Sequence, residues 1–479
     1  MRQFAIILLT LSCIGFTRAQ DVSLEDLSQA SNSLMRTHSP YAVLQGTDAL
    51  STNEDQLVGY LFRYSPTGFI ITSNSNLIRP VYGYSFTNDF SVSEQEREIA
   101  VAIITRDMQQ RMDQANLIPP SGKQANAFEW QAFLEGDMAL TPFQQWPPEG
   151  TTSSGGWIET NWTQSAPYNS MCPIDMNASA RSIVGCPATA MGQILNYHET
   201  LNGTTFNDND DYYHSYGSGN QYMIDDDHDA RGFPSWDSLS TWLNSMDYAY
   251  QTQLPVTTEM KAALSFACGV AAHQVYSASM SGTFGIDQAW DSFQRFGYAE
   301  SRLIFPEDTN FNSEIAQNIK DELPVQLGLL VAPPGGGGHN VVVDGYNTDE
   351  YYHFNFGWGG GSNGWYTLPP TNIAYNLTII EGAIMDIKSD NYTATSEMPF
   401  ENKVNLFPNP VSSDLNINTE IIGATMEICT LTGVRIACHD LQAPHSRVSL
   451  SNLPSGIYLI SIRVEGKQIY TGKIVKVQD

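Results

Sequence analysis

Two stretches without any hydrophobic period divide this 479-residue chain and limit what it can fold into. Trp146-Pro147-Pro148-Glu149-Gly150-Thr151-Thr152-Ser153-Ser154-Gly155-Gly156 is built largely of Pro, Gly and Ser and reads as an exposed, protease-accessible connector. Residues 388–404 are polar and aperiodic, as a linker is. Charge divides the chain as well. Lys and Arg total 23 against 51 Asp and Glu, a formal charge of -28, yet residues 401–479 hold seven acids and seven bases, so the surplus lies in the first 400 residues. So acidic a chain excludes nucleic acid or an anionic membrane as partner, because both require a basic surface. Only 15% of residues are charged, against about 25% in ordinary soluble domains, and Asn, Ser, Thr, Gly and Tyr take their place, as in exported proteins.

The N-terminus agrees. Arg2 precedes an apolar run over residues 4–16, and Thr17-Arg18-Ala19 ends in a small residue, which predicts a signal peptide over 1–19. That run is shorter than the roughly 20 residues a membrane span needs, and no later segment is apolar for long enough, so no transmembrane segment is expected.

Residues 20–150 are read as a small α/β unit. Residues 56–71 alternate around Ser65-Pro66-Thr67-Gly68 as two strands and a turn; Ser91-Val92-Ser93-Glu94 resembles a capping box ahead of a helix with Val101, Ile104, Met108 and Met112 on one face. Residues 151–390 carry helices early, after Cys186 and over 261–276, and strands late, at 325–331, 340–343 and 351–356, which makes the class α+β. After a linker at 391–404, residues 405–479 show short strands at 415–417, 425–429, 434–438, 457–464 and 468–477, the pattern of a small β-sandwich.

Chemistry concentrates on two positions. Loss of Cys13 with the signal leaves five cysteines, an odd number, so one thiol at least is unpaired. Cys429 and Cys438 flank a turn and bridge or pack; Cys268 lies in an apolar helical run and Cys172 is structural. Cys186 follows Gly185 and precedes Pro187 at a helix start, where the helix dipole favours a thiolate. Taken alone it is equally a helix-start cysteine without chemistry. His339 ends a four-glycine approach, Gly335 to Gly338, at the mouth of the strand Asn340-Val341-Val342-Val343, 153 residues after Cys186. No Gly-Lys-Ser/Thr follows, which excludes phosphate binding, and a general base for a thiol is the remaining reading. Asn355 is the candidate to orient the imidazole and Trp358 to shield it.

Val184-Gly185-Cys186-Pro187-Ala188-Thr189-Ala190, Gly338-His339-Asn340-Val341-Val342-Val343-Asp344-Gly345-Tyr346 and His353-Phe354-Asn355-Phe356-Gly357-Trp358-Gly359-Gly360 resemble the nucleophile, histidine and tryptophan segments of streptopain-like cysteine peptidases, a papain-fold family. Trp162-Thr163-Gln164-Ser165-Ala166-Pro167-Tyr168-Asn169 is similar to their upstream segment. The resemblance spans roughly residues 157–385. It implies Cys186 and His339 as the catalytic dyad, Gln164 in the oxyanion hole, Asn355 and Trp358 at the imidazole, and Ser281, Gly282 and Gly338 at the substrate cleft, which would favour an apolar residue two positions before the scissile bond. It also makes residues 20–150 an inhibitory propeptide, and Asn405-Leu406-Phe407-Pro408-Asn409-Pro410 with Leu453-Pro454-Ser455-Gly456 resembles type IX secretion sorting domains. The chain departs from the family at Phe356, where Trp is usual, at Asn340, where Ala is common, and at Pro187.

Asp225-Asp226-Asp227-His228-Asp229 and Asn207-Asp208-Asn209-Asp210-Asp211 lack the glycine and closing glutamate of an EF-hand and read as solvated loops, and His198, His214, His273 and His353 have no partner at metal spacing. Neither metal nor cofactor is expected. The expected protein is a secreted or surface-associated cysteine endopeptidase made as a zymogen, with protein or peptide substrates and the secretion machinery as partners. A catalytically silent papain-fold surface protein and a thiol acyltransferase are the alternatives.

Overall fold

Local signals set the first elements in a computed structural model of the chain, which describes residues 21–388 and 404–476 apart from 92, 139, 143, 217–219, 309, 332–336, 369–378, 409–410, 420–422, 430–434, 442, 455 and 465–466. The signal-peptide and linker expectations, save Val404, and Gly335 and Gly336 lie outside the described residues. Residues 1–390 and 391–479 form separate units.

In the first unit the Ser23 hydroxyl accepts the Asp26 N–H and opens α1 (Leu24–His38), whose first turn carries Glu25 and Asp26 and whose last carries Arg36 and His38. Both sets of charges complement the helix dipole. Strands β1 (Val43–Ser51), β2 (Leu57–Ser65), β3 (Phe69–Ser73) and β4 (Val81–Ser85) form an antiparallel meander, with β2 and β3 joined at the expected turn. Helix α2 (Glu94–Asp113) forms as the apolar spacing predicts and buries Ile104 and Met108. Its capping box does not form: Ser93 makes no side-chain cap, and Ser91 bonds Glu96 instead. Helix α3 (Pro120–Glu135) and the short β5 (Gln145–Trp146) complete this part.

Beyond the connector come a β6–β7 hairpin (Ile174–Asp175, Ala180–Arg181), α4 (Cys186–His198), a β8–β9 hairpin (Tyr212–Tyr216, Asn220–Ile224), α5 (His228–Arg231), α6 (Trp236–Thr252), α7 (Thr258–Ala271), α8 (Ile286–Arg295), β10 (Arg302–Ile304), α9 (Phe311–Lys320), β11 (Val325–Leu330), β12 (Gly338–Asn347), β13 (Tyr351–Asn355), β14 (Gly364–Thr367) and β15 (Ile380–Met385). Helices first and strands later is the α+β order read from the sequence. The two supposedly solvated acidic loops do structural work: Asp210 pairs with Arg295 at 2.8 Å, Asp211 accepts the Trp236 indole N–H at 2.7 Å, and Asp225 accepts the Trp236 backbone N–H at 3.2 Å.

One antiparallel sheet runs through the whole unit in the order β1-β2-β3-β4-β14-β13-β12-β11-β15-β10, with β5 on β12. The join between the N-terminal meander and the later strands is β4 on β14, where Gly83 pairs with Tyr366 and Tyr84 with Trp365. A side chain at Gly83 would come within 2.6 Å of the Tyr366 ring, so glycine is what lets the strands meet. A shared core lies across this join: Leu61, Phe69, Ile104 and Met108 pack in one cluster with Val341, Val343, Phe354 and Tyr366. A second cluster gathers the helices, with Met191 of α4, Leu243 of α6, Phe266 of α7 and Phe293 of α8 against Val342 and Ile384 of the sheet. Each such buried side chain contributes roughly 1.5–3 kcal/mol.

The connector is clasped. Asp344 of β12 accepts the Ile158 N–H at 2.8 Å on one carboxylate oxygen and bonds His353 Nδ1 at 2.7 Å on the other, and its carbonyl takes the Trp157 N–H at 2.8 Å. A methyl on Gly156 would fall 2.3 Å from that carboxylate. Both side chains of the pair are fully buried, so Asp344→Ala strands an imidazole and a backbone donor together. The expected loss is about 3 kcal/mol, read as a lowered midpoint in thermal and urea unfolding; an unchanged midpoint would show that the clasp holds nothing.

The second unit contains β16 (Val404–Phe407), β17 (Asp414–Thr419), β18 (Ala424–Cys429), β19 (Arg435–Leu441), β20 (His445–Ser449), β21 (Gly456–Val464) and β22 (Lys467–Lys476). They form sheets of order β16-β17-β20 and β19-β18-β21-β22 around Leu415, Ile417, Met426, Ile428, Ile460 and Ile462. Cys429 and Cys438 are both free thiols.

Candidate active site

The strand–turn–helix at Gly185–Cys186 sets the site. Gly185 has φ 89°, and a methyl there would meet the Ser281 carbonyl oxygen at 2.8 Å, so only glycine turns the chain into α4. Pro187 occupies the first turn, where its missing N–H costs nothing. Helix α4 lies against β12 and packs Gly192 on the Trp162 ring.

Cys186 is half-buried. The N–H and side-chain amide of Asn340 reach its thiol, as does its own N–H. Gln326 fixes which way that amide points, since its Nε2 donates to Asn340 Oδ1 at 2.9 Å and leaves the Asn340 NH₂ for sulfur. Asn340, noted in the sequence only as a departure, thus links the Cys186 thiol of α4 to β12.

His339 is buried. Its Nε2 lies 2.8 Å from the Phe356 carbonyl oxygen, and because a carbonyl can only accept, Nε2 carries the proton and Nδ1 is the basic nitrogen. The ring lies 4.5 Å from Trp358 and stacks on Phe356 at 5.8 Å. Trp358, expected from the sequence to shield the imidazole, is thus in ring contact with it. Asn355 does not orient the imidazole. Its Nδ2 donates to the Thr160 carbonyl at 3.0 Å and to Gln193 Oε1 at 3.2 Å, and its Oδ1 accepts the Gly357 N–H at 3.0 Å. The Phe356 carbonyl takes that place, held in turn by Asn363, whose Oδ1 accepts the Phe356 N–H at 2.9 Å. Gln193, Gln326 and Asn363 were not singled out from the sequence; a lone amide on an apolar helix or strand is the one signal the first two leave, and Asn363, in the turn before β14, leaves none.

Electrostatics differ from the helix-dipole expectation. Burial pushes the Cys186 thiol up to about 11, outweighing the donors from Asn340 and its own N–H, and the Glu381 carboxylate adds to the rise. Burial likewise pulls His339 down to about 4, against the Phe356 hydrogen bond. A neutral thiol and a neutral imidazole result, and among the described residues no hydrogen bond joins them.

Of the remaining candidates, Gln164, Ser281 and Gly282 touch residues that flank Cys186. The Gln164 carbonyl accepts the Val184 N–H at 2.8 Å, which ties the upstream segment to the residues just before Cys186. The Ser281 hydroxyl is held by the Ser277 backbone at 3.0 and 3.1 Å, and Gly282 pairs with Val275 beside Pro187. Gly338 is exposed at the first position of β12. Cys172 and Cys268 are fully buried, and burial drives both thiols well up, so neither competes as nucleophile.

A half-buried thiol at a helix start and an imidazole on the strand packed against that helix, in an α+β fold, are the groups a cysteine peptidase uses. More particularly, residues 162–366 match the model of the Peptidase C10 family and residues 405–477 that of the secretion system C-terminal sorting domain. Streptopain of Streptococcus pyogenes is 24% identical over 331 residues, which cover 65% of this chain and 74% of streptopain. The thiol protease/hemagglutinin PrtT of Porphyromonas gingivalis is 28% identical over 215 residues, 42% of this chain and 22% of that protein. Among solved structures, a fragment of Prevotella intermedia prointerpain A aligns with a TM-score of 0.47 at 18% identity, covering 72% of this chain and 99% of the fragment. The sorting domain supports secretion or an outer-surface location. Among the described residues no helix is long and apolar enough to cross a membrane.

Proposed function

We propose that this chain is an exported cysteine endopeptidase, made with a signal peptide and held latent by residues 20–150. The observation that carries the reading is the pairing of Cys186 with Asn340, the neighbour of an imidazole whose free nitrogen is Nδ1. In the working state His339 Nδ1 takes the thiol proton and the thiolate attacks the scissile carbonyl carbon. The tetrahedral oxyanion is held by the Cys186 N–H and the Gln164 amide, and the imidazolium returns its proton to the departing amine. Water then hydrolyses the thioester by the same route. Trp358 and the Phe356 carbonyl keep the ring in its tautomer.

Latency is supported by contacts that Asp89, Ser91 and Gln95 make with two segments of the later chain. On the Trp358 side the Asp89 carbonyl accepts the Ser362 N–H at 2.9 Å and the Ser91 N–H donates to Ser362 Oγ at 3.1 Å. On the other side Gln95 Nε2 donates to the Ser279 carbonyl at 3.3 Å. In this reading residues 20–150, held at Ser362 and Ser279, keep substrate from the cleft. The intact chain is accordingly expected to hydrolyse a fluorogenic peptide at no more than about a hundredth of the rate reached after limited proteolysis within residues 146–156. Equal rates before and after nicking would contradict latency.

A further inference from the structure

One charged group near the nucleophile has no part in the chemistry above. Gly328 of β11 pairs with Gly382 and Leu329 with Ile380, so Glu381 is the extra residue of a bulge in β15. A bulge re-aims its side chain. Here it carries the half-buried carboxylate to the start of α8, where Oε1 accepts the Ile286 N–H at 3.1 Å. A methyl on Gly328 would lie 3.1 Å from Oε2 and 3.0 Å from Ile286 Cδ1, and one on Gly285 would meet Asp287 Oδ1 at 2.3 Å and Glu381 Oε1 at 3.5 Å, so glycine at both positions lets the carboxylate and Asp287 pack close to the strand and the start of α8. Across Gly328 on its other side is Asn340, the residue that reaches the Cys186 thiol. The Glu381 charge is felt at that thiol, and Asp287 at the start of α8 adds a second negative charge nearby.

Among the described residues no Lys or Arg pairs with Glu381 or Asp287. A partly desolvated carboxylate without a cation is costly, and a ligand that brings one offsets that cost. The loop beside it exposes Met280 and Phe284, 57% and 82% accessible, and such apolar cover suits the aliphatic stem of a long basic side chain. We propose that Glu381 is a specificity-determining residue that selects peptides with an arginine or lysine close to the scissile bond. This rests on the endopeptidase reading and departs from the apolar preference that the family resemblance implies.

The test uses the full chain nicked in the connector and matched fluorogenic peptides in which one position at a time is Arg or Leu. At one position within about three residues of the cleaved bond, kcat/KM for Arg exceeds that for Leu by about ten-fold or more, and Glu381→Gln brings the ratio to about one. Glu381→Asp, which keeps the charge, keeps a preference for Arg. Stoichiometric labelling of Cys186 by an epoxysuccinyl inhibitor in each variant reports a formed cleft. Wild-type protein with no preference for Arg at any position, or a preference that survives in Glu381→Gln, overturns the assignment. If nicked wild-type protein neither takes the label nor cleaves any peptide, the endopeptidase reading itself falls and this assignment with it.

Discussion

Cys186→Ala lowers kcat/KM of the nicked chain by at least ~10⁴-fold, because loss of the nucleophile leaves only the oxyanion donors and binding to act on the peptide. The fold has little reason to suffer. The exchange removes one half-buried sulfur, Pro187 still opens α4, and the Gly185 turn against Ser281 is untouched. Far-UV circular dichroism and the thermal midpoint should therefore match those of the parent. Hydrolysis retained in this variant would rule out the mechanism, whatever the state of the rest of the site.

The second large effect is on the reactivity of the same sulfur. With the thiol pushed up to about 11 in the intact chain, roughly one molecule in 10⁴ is a thiolate at pH 7. On the proposed activation, nicking and release of residues 20–150 would admit water and let the imidazole reach the thiol. The alkylation rate of Cys186 by iodoacetamide at pH 7 is then expected to rise by ~10³-fold. The pH profiles should differ in shape, rising about ten-fold per pH unit in the intact chain and lying nearly flat around neutrality in the nicked one. Identical rates would mean that residues 20–150 do not control the thiol. The same groups set where the latent packing is stable. His339 is lowered from 6.5 to about 4, so the stability of its neutral burial is present above 6.5 and lost as pH falls toward 4. Cys186 is raised from 9.0 to about 11, so its contribution is present below 9.0 and lost as pH rises toward 11. Between these limits neither group favours opening.

What was legible in the sequence follows from how local the signals are. The helix at Cys186 and the strands at His339 and Asn355 announce themselves through glycine, proline and runs of β-branched residues within a few positions. The β2–β3 hairpin and α2 do so through turn chemistry and apolar spacing. The strand β20, His-Ser-Arg-Val-Ser, has one buried side chain and no such mark. Non-local facts were beyond reach for a different reason. That the Phe356 carbonyl and not Asn355 holds the imidazole depends on a bond made by Asn363, and that Cys186 keeps its proton depends on burial, which the helix-start position alone cannot report. The bulge at Glu381 exists only as a mismatch between two strands far apart in the chain.

On the proposed maturation the β4–β14 join is what parts. Loss of the N-terminal strands would unzip the sheet at Trp365 and Tyr366, whose backbone would lose its partners at Tyr84 and Gly83. Val343, Phe354 and Tyr366 would shed their cover at the same moment. An enzyme so released would carry a raw selvedge of unpaired amides beside bared aromatic rings, a template onto which any extended polypeptide could zip. Keeping that seam stitched until export would spare it from self-adhesion.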